Sequence, residues 1–290
     1  MTINGKTKTC GLMGCPVEHT LSPIIHNTLA EHMGQNMVYV PFHVEKENVE
    51  AAIQGAQALS LGGMNVTVPH KSAVIPFLKE IDPLAAKIGA VNTLVPVEGG
   101  YKGYNTDMTG LQRAMETEGI EIKGRDAILL GAGGASRAVA FMLVSKGAGK
   151  VYLLNRSVDK AQAVAEEVNR AMECDAVVPM ALTDYVMLPK QKYLCVQGTS
   201  VGLHPDADAA VIEATDFYEM IDVGVDLIYK PAETKFMKLC KQAGANAYNG
   251  LKMLLYQGII AYELWNKVQV PDELADEIYE LMKEATKVEE

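Results

Sequence analysis

A short apolar strand, followed at once by a glycine-rich loop and a helix, most constrains how this chain can fold. The segment Ala127–Leu130 is entirely apolar, as in a strand buried on both faces of a parallel sheet. The loop Gly131-Ala132-Gly133-Gly134-Ala135 then opens a helix predicted over Ala135–Lys146. Gly131 permits a tight turn, and Gly133 lets the backbone approach a pyrophosphate at the helix N-terminus. The segment predicts a Rossmann-like dinucleotide-binding domain.

The end of the next predicted strand indicates which dinucleotide binds. NAD enzymes usually carry Asp or Glu there, which accepts a hydrogen bond from the ribose 2′-hydroxyl. Here the strand Val151–Leu154 is followed by Asn155-Arg156-Ser157, with Lys160 one helical turn later. A guanidinium can bind a 2′-phosphate bidentately, assisted by a hydroxyl and an ammonium. We therefore predict NADP(H), against the alternatives that Arg156 is a surface cation and Asn155 a helix N-cap.

Strand-like runs alternate with helical periodicity throughout, which predicts an α/β fold with mainly parallel sheets. A length of 290 residues favours two domains. We place one domain at residues 1–107 and a doubly wound, dinucleotide-binding domain at 108–246. The segment 247–290 is helical, and periodicity does not decide which domain it joins.

Charge and hydropathy exclude several classes of partner. The chain has 36 acidic and 26 basic residues, for a net charge of −10. Nucleic acid is disfavoured because phosphate contacts need clustered Lys and Arg. No apolar run approaches the ~18 residues of a membrane span, and the first residues lack the apolar stretch of a secretory signal. We expect a cytoplasmic protein with no nucleic-acid or membrane partner.

The cysteines and histidines predict no metal site. Five scattered cysteines form no CxxC pair, and no histidine lies at zinc-ligand spacing from them. We predict the cysteines to be buried thiols in a reducing compartment. His26 and His43 are predicted to be buried or half-buried, and His70 to lie in a loop or on the surface.

The first domain carries polar residues where core packing does not call for them. Thr20 and Ser22 are hydroxyls two residues apart near a helix start, where they could bind a carboxylate, although Ser22 before Pro23 is also a sound N-cap. Asn65 and Thr67 alternate with valines on the predicted strand Met64–Val68, so both face one side.

Two charged residues complete this polar set. Lys71 lies at a predicted helix start, where a cation opposes the macrodipole, and this suggests a chemical role. Asn92 belongs to the predicted strand Ala90–Val95, and Asp107 follows the next strand. The alternative for Asp107 is a plain N-cap of a helix starting near Met108.

Taken together, these segments resemble the shikimate dehydrogenase family from about Gly11 to Trp265. The matching motifs are, in order, Thr20–Pro23, Asn65–Lys71, Gly89–Thr93, Gly103–Asp107, Gly131–Arg137, Asn155–Ser157, Gly198–Leu203, Asp226–Pro231 and Asn249–Gln257. The resemblance implies an NADP-dependent oxidoreductase that interconverts 3-dehydroshikimate and shikimate. It also implies that the C-terminal helices return to a substrate-binding domain formed by the first third of the chain.

The resemblance further implies roles for individual residues. Lys71 and Asp107 would be the catalytic pair. The carboxylate of the substrate would contact Thr20, Ser22 and Tyr229, and its ring hydroxyls would contact Asn65, Thr67, Asn92 and Gln257. Thr199 and Gly250 would join the glycine loop and the Asn155–Lys160 segment at the cofactor. Most of the family has Ser where this chain has Thr20, and the extra methyl changes the shape of the carboxylate pocket.

Two alternatives stay open. One is a quinate dehydrogenase, or a dual quinate/shikimate dehydrogenase, whose pocket admits one more hydroxyl. The other is a non-catalytic ligand sensor on the same scaffold, which loss of Lys71 or Asp107 would have indicated. Both residues are present. We expect a monomer or a homodimer.

Overall fold

The computed structural model describes residues 2–288. The chain divides into two compact units. The first comprises the residues up to Leu111 together with those from Leu254 onward, and the second is the uninterrupted segment Gln112–Met253. The first unit is therefore assembled from two parts of the sequence.

The first unit contains a mixed six-stranded sheet. Its strands are β1 (Lys8–Gly14), β2 (Met37–His43), β3 (Gly63–Val66), β4 (Glu80–Ile81), β5 (Thr93–Val97) and β6 (Gly100–Tyr104). Its helices begin with α1 (Ser22–His32), α2 (Val49–Ala58), α3 (Pro83–Ile88) and α4 (Thr106–Thr117), of which α4 continues into the second unit. Across the sheet the strand order is β2-β1-β3-β5-β6-β4. Because β1 is parallel to both β2 and β3, their carboxyl ends lie at one edge.

The segment after β3 differs from the prediction. The strand ends at Val66 rather than at Val68, although the Thr67 N–H still donates to Met13 O at 2.9 Å. Pro69 cannot continue the ladder because it has no N–H to donate. Lys71 lies in a turn before a short 3₁₀ helix, Ile75–Phe77, so the predicted helix start at Lys71 is wrong.

The second unit contains an all-parallel sheet with helices on it. Its strands are β7 (Ala127–Leu130), β8 (Val151–Asn155), β9 (Val177–Ala181), β10 (Tyr193–Gln197), β11 (Ile221–Asp226) and β12 (Asn246–Tyr248). Its helices are α5 (Gly134–Ser145), α6 (Val158–Met172), α7 (Thr215–Glu219) and α8 (Lys235–Gln242). Two other 3₁₀ helices span Lys46–Asn48 in the first unit and Leu182–Met187 in the second.

The strand order in this second sheet is β12-β11-β10-β7-β8-β9. Counted from β7, that is the Rossmann order, in which the chain first winds one way and then restarts beside its first strand. The switch point therefore falls between β7 and β10, and their carboxyl ends flank a crevice. Both strands are buried along their whole length, and the burial of β7 agrees with its entirely apolar sequence.

The last two helices, α9 (Leu251–Asn266) and α10 (Asp272–Val288), return to the first unit. The indole Nε1 of Trp265 donates to Leu94 O at 2.9 Å. On α10 a stripe of buried residues at helical spacing faces the interior: Leu274, Ala275, Ile278 and Met282. The predicted fold class is confirmed, including the doubly wound second unit and the return of the C-terminal helices.

No helix within residues 2–288 combines the length and apolar character that a membrane crossing needs.

Candidate active site

A groove of about 310 Å³ lies at the switch point of the second unit. Its lining comes from the loops that follow β7, β8 and β10: Gly131, Ala132, Gly133, Asn155, Arg156, Ser157, Lys160, Gly198, Thr199 and Ser200. The sequence analysis named all of these, Gly198 and Ser200 within the motif Gly198–Leu203, but it proposed a cofactor contact for neither of those two. Their place directly after a buried strand, β10, is the signal that could have assigned them to the cofactor.

The glycine loop leaves room in front of α5. Gly131 has φ +100°, and a Cβ there would lie 2.6 Å from Thr199 Cγ2, so a side chain is excluded on both counts. A Cβ on Gly133 or Gly134 would instead meet nothing within 4 Å. The N–H groups of the first helical turn thus border open space, which fits the pyrophosphate of a dinucleotide.

The small residue at the third position of the loop fixes this geometry. Ser136 is fully buried, and its hydroxyl donates to Gly198 O at 3.1 Å. That bond ties the start of α5 to the loop after β10. The two loops that border the groove are therefore held together by a side chain that lies beneath it.

The polar corner after β8 carries two cations. Arg156 and Lys160 are exposed, and among the described residues neither forms an ion pair. Asn155 does not cap α6, because the cap position is Ser157 and the Asn155 amide donates to Ser157 O at 2.9 Å. The N-cap alternative for Asn155 is therefore wrong. The corner offers a guanidinium, an ammonium and a hydroxyl, the donor set that a 2′-phosphate requires.

Three residues predicted at the cofactor do not line the groove. Gly134 and Ala135 belong to the first turn of α5. Gly250 donates its N–H to Ile228 O at 3.0 Å, and a Cβ there would press on the backbone of Leu227. A glycine at 250 is thus explained by close backbone packing within the second unit.

A buried polar network that the sequence analysis missed supports the groove from below. Gln197 accepts from the Thr199 N–H at 2.5 Å and donates to Val201 O at 3.0 Å. Its amide also donates to Asp226 Oδ1 at 3.4 Å. The signal for this network was a polar residue at the end of each of two otherwise apolar strands, β10 and β11.

Asp226 is the charged member of this network. It accepts from the Thr234 hydroxyl at 2.6 Å and from the Ile228 N–H at 2.9 Å. Burial raises the pKa of its carboxyl to about 6, although the hydrogen bonds it accepts act in the opposite direction. Because Tyr229 is the residue after Ile228, Asp226 fixes the turn that carries Tyr229, which is itself half-buried.

In the first unit, Lys71 and Asp107 form an ion pair. The distance from Lys71 Nζ to Asp107 Oδ2 is 2.7 Å, and the side chains are 31% and 20% exposed. Asp107 lies in the first turn of α4, but it is the side chain of Asn105 that accepts from the Met108 N–H, at 3.3 Å. Asn105 thus takes the capping role that was the alternative for Asp107, and the Asp107 carboxylate faces the ammonium.

The hydrogen bonds of Asn92 show which of its two amide atoms can contact a ligand. Its Oδ1 accepts from the Thr106 N–H at 2.7 Å and from the hydroxyls of Thr106 and Thr93 at 3.1 Å each. A backbone N–H only donates, so the atom facing it must be the oxygen. The Nδ2 group is therefore the part of Asn92 that can donate to a substrate hydroxyl.

Asn65 belongs to the same cluster, and both atoms of its amide are hydrogen-bonded within the protein. Its Oδ1 accepts from the Tyr39 hydroxyl at 2.8 Å, and its Nδ2 donates to Asn92 O at 3.2 Å and to Thr93 Oγ1 at 3.0 Å. It is 4% exposed. These bonds make Asn65 a residue that positions Asn92, in addition to any contact of its own with a ligand.

The predicted hydroxyl pair is assembled at the start of α1. The Thr20 hydroxyl donates to Ser22 Oγ at 3.1 Å, and the Ser22 N–H donates to Thr20 Oγ1 at 3.2 Å. The cap position of α1 is Leu21, without a side-chain cap bond, so the N-cap alternative for Ser22 is wrong. Two hydroxyls at the positive end of a helix are suited to an anion.

The remaining predicted substrate residues lie on different elements. Gln257, on α9, donates to Leu254 O at 2.8 Å, and a Cβ on Gly110 would come within 2.6 Å of the Gln257 backbone N, so α4 and α9 pack closely. Thr67 is half-buried just after β3. Tyr229 belongs to the second unit.

His26 is buried, as predicted, whereas His43 and His70 depart from the predictions. His26 is buried and stacks on Tyr39 at 4.1 Å, with burial lowering its pKa to about 3. His43, predicted to be buried or half-buried, is exposed. His70, predicted to lie on a loop or the surface, is buried, with Nε2 2.7 Å from Val44 O. The sequence did not reveal which faces of β2 and of the turn after β3 point inward.

Comparison with known proteins identifies the same two regions. The family model of the shikimate dehydrogenase substrate binding domain matches residues 12–94, and that of shikimate / quinate 5-dehydrogenase matches residues 113–186. Over 271 residues the chain is 41% identical to the shikimate dehydrogenase (NADP(+)) of Desulforamulus reducens, which covers 93% of each chain.

Solved structures agree with the sequence comparison. Shikimate 5-dehydrogenase from Listeria monocytogenes, in complex with shikimate and NAD, superposes with a TM-score of 0.89 at 29% identity, covering 97% of this chain and 98% of that one. Quinate dehydrogenase from Corynebacterium glutamicum, in complex with NAD, gives a TM-score of 0.85 at 26% identity, covering 96% and 99%. Identity and coverage of this extent establish that the chain belongs to the shikimate dehydrogenase family.

Proposed function

We propose that the chain is an NADP-dependent shikimate dehydrogenase (EC 1.1.1.25), which reversibly reduces 3-dehydroshikimate to shikimate in the biosynthesis of aromatic amino acids. The observation that carries the proposal is the contact of Lys71 with Asp107 at 2.7 Å. Thr106, the residue before Asp107, belongs to the buried amide and hydroxyl cluster around Asn92, and the N–H of Val91, the residue before Asn92, donates to Lys71 O at 2.8 Å. An ammonium–carboxylate pair next to such a cluster suits proton exchange with a polyhydroxylated ring acid.

Proton transfer is the part of the reaction that the chain's own side chains perform. Reduction of the ring ketone leaves an alkoxide that must receive a proton, and oxidation of the alcohol requires the reverse transfer. Lys71 Nζ donates to this oxygen or accepts from it. Asp107 orients the ammonium and accepts from a neighbouring hydroxyl of the substrate. When NADP(H) is bound, its nicotinamide supplies or accepts the hydride.

The substrate is held by its two kinds of polar group. Its carboxylate contacts the hydroxyls of Thr20 and Ser22 at the start of α1. Its ring hydroxyls contact Asn65, Thr67, Asn92 and Gln257. The orientation of the Asn92 amide supports the second set, since its Nδ2 is the donor that faces away from the internal bonds.

The dinucleotide is held in the second unit. The loop Gly131–Ala135 and the start of α5 would hold its pyrophosphate, and Thr199 borders the same groove. Arg156, Ser157 and Lys160 would bind its 2′-phosphate, while the Asn155 amide holds the backbone of Ser157. Gly250 serves by allowing the backbone packing behind this region.

Each unit thus has one role, with substrate bound by the first and NADP(H) by the second. The sequence predicts domain limits between residues 107 and 108 and between residues 246 and 247. The limits of the two compact units lie between residues 111 and 112 and between residues 253 and 254. We further propose a cytoplasmic enzyme that acts as a monomer or a homodimer.

A test of the function crosses shikimate and quinate with NADP and NAD, and follows the nicotinamide absorbance. The expected result is the highest kcat/KM for shikimate with NADP. A higher value for quinate would identify a quinate dehydrogenase, and Thr20→Ser would be the first variant to examine. Binding of shikimate without turnover in any combination would instead indicate a ligand sensor.

A further inference from the structure

Three side chains of metal-binding types meet beside the ends of β1 and β2. Cys15 Sγ lies 3.4 Å from His43 Nε2 and 3.7 Å from Glu45 Oε2. His43 Nε2 lies 3.0 Å from Glu45 Oε1. The sequence concealed this cluster because Cys15 is 28 and 30 residues from its two partners, outside the short spacings that mark zinc sites.

These separations are close to those around one tetrahedral cation. Zinc lies about 2.3 Å from a thiolate and about 2.0–2.2 Å from imidazole nitrogen or carboxylate oxygen. Tetrahedral angles then place sulfur about 3.5 Å from either other ligand, and nitrogen about 3.4 Å from oxygen. The separations found differ from these by about 0.4 Å at most, although Cys15 Sγ and His43 Nε2 face different oxygens of the Glu45 carboxylate, Oε2 and Oε1. Small rotations about side-chain bonds therefore suffice to bring the three ligand atoms within bonding distance of one cation.

We propose that Cys15, His43 and Glu45 bind one divalent transition-metal cation of the zinc class, with water as the fourth ligand. Magnesium and calcium prefer oxygen ligands, whereas a thiolate and an imidazole favour zinc. Cys15 binds as the thiolate, so each binding event releases one thiol proton to solvent and changes no oxidation state. The site includes neither Lys71 nor Asp107, and its role is to hold structure rather than to take part in hydride transfer.

The backbone already holds the ligands in place. Gly14 pairs with His43 in the parallel ladder of β1 and β2, and the Val44 N–H donates to Gly14 O at 3.0 Å. The Cys15 N–H donates to Val68 O at 3.2 Å. Because these bonds fix the main chain on both sides of the cluster, a cation needs to order only side chains.

The surroundings favour a cation. Glu18 Oε1 lies 3.5 Å from His43 Nδ1, the ring nitrogen that faces away from Cys15, as in carboxylate–histidine–zinc arrangements. The carboxylates of Glu45, Glu18 and Glu47 surround the Cys15 thiol with negative charge. The same negative field attracts a divalent cation, whose charge the thiolate and the Glu45 carboxylate together neutralise.

Binding here would brace the segment that carries the substrate hydroxyls. Cys15 and Thr20 are five residues apart, and the Thr20 N–H donates to Val17 O at 3.2 Å. A cation bonded to both Cys15 and His43 joins that segment to β2 across the sheet edge. This consequence rests on the proposed role of Thr20 and Ser22, whereas the cation site itself does not.

The test titrates the metal-free, full-length protein with Zn²⁺ by calorimetry and with Co²⁺ by absorbance, without substrate or dinucleotide. We expect one equivalent to bind, a thiolate–cobalt charge-transfer band, and affinity that rises with pH. Cys15→Ser should remove the band, and His43→Asn and Glu45→Gln should each weaken Zn²⁺ binding at least about tenfold. Cys174→Ser, a half-buried thiol in the second unit, is the matched control and should bind as the parent does.

Thermal unfolding gives a second measurement. Zn²⁺ should raise the Tm of the parent and of Cys174→Ser but not that of Cys15→Ser, since a ligand stabilises only the state that binds it. Glu45→Gln, at an exposed position, keeps the test valid if Cys15→Ser folds poorly. Binding of equal strength in all four variants, or none in the parent up to millimolar Zn²⁺, overturns the site. Neither outcome affects the nicotinamide assay of the proposed function.

Discussion

The two units hold their polar groups in different ways. In the second unit the groove is bordered by the loops that follow β7, β8 and β10, where Gly131, Gly133 and Gly198 present backbone without a side chain. In the first unit the site consists of side chains, and the amides of Asn65 and Asn92 are bonded to other side chains before any ligand arrives. The site in the second unit depends on where the strands end. The site in the first unit depends on which donor and which acceptor each side chain pairs with.

This difference has a consequence for mutation. A site made of backbone tolerates changes of side chain unless they alter charge or fill the space in front of a helix. A site made of interlocked side chains transmits the loss of one donor to its neighbours, because buried polar atoms left without partners are costly. The four predictions below use this contrast, from the largest expected effect to the smallest.

Removing the catalytic ammonium should have the largest effect. Lys71→Ala is expected to lower kcat by about 10² to 10⁴, the usual share of general acid–base catalysis, with a much smaller change in the KM for shikimate. Asp107→Asn should also lower kcat, and the double variant should lose less than the product of the two. Steady-state kinetics measure all three, with Lys46→Ala at an exposed lysine as the control. A rise in KM at constant kcat would show that Lys71 only binds.

Asp226 should make stability depend on pH. Its folded pKa, about 6, lies above the ordinary value of 3.8, so the folded state holds more protons than the unfolded state between these values. Below pH 4 the raised pKa of Asp226 therefore adds about 3 kcal/mol to the free energy of unfolding. This contribution is lost as the pH rises through 6. Asp226→Asn should lack this loss in urea unfolding measured from pH 4 to 7. Parallel curves for parent and variant would show that the folded pKa is not raised.

Reversing one charge at the dinucleotide corner should change cofactor choice. Arg156→Asp is expected to weaken NADP binding about 10- to 100-fold while leaving NAD nearly unaffected, since it removes a phosphate ligand and adds repulsion. Arg170→Asp, at the other end of α6, is the matched control. Equal losses for the two dinucleotides would mean that Arg156 does not contact the 2′-phosphate. Equal use of NADP and NAD by the parent would contradict the cofactor preference itself.

The smallest effect should come from the interlocked amides. Tyr39→Phe removes the donor to Asn65 Oδ1 and is expected to lower the free energy of unfolding by about 1–3 kcal/mol. It should also raise the KM for shikimate a few-fold through Asn92, with kcat little changed. Tyr101→Phe, which loses a hydroxyl bonded to Leu61 O, is the control. It should lower the free energy of unfolding without changing the KM for shikimate. An unchanged KM in Tyr39→Phe would show that Asn65 does not influence substrate binding.

Much of the fold follows from local pattern. The predicted limits of β7 are those found, because it is a short apolar run fully buried in a parallel sheet. The helix predicted at Lys71 does not form, and β3 ends early. Both errors lie beside Pro69, where long-range bonds to β1 determine the backbone and local propensity does not.

The sequence predicted the site by residue type better than by contact. It placed Lys71 and Asp107 together, but it could not show that Asn105 caps α4 and thereby leaves the Asp107 carboxylate to the ammonium. It also missed Gln197 and the contact of that residue with Asp226, since one polar residue at a strand end is common. Contacts of this kind depend on neighbours that are distant in sequence, which periodicity and spacing do not record.

The division of the first unit between two parts of the sequence affects how the chain is made. The second unit is one uninterrupted segment and can form as soon as it leaves the ribosome. The first unit must wait for α9 and α10, since Trp265 is 171 residues from Leu94, whose carbonyl it bonds. The first unit, which carries Lys71 and Asp107, is thus completed last, although all six strands of its sheet are synthesised first. Throughout synthesis, its unfinished faces are the ones a chaperone would have to protect.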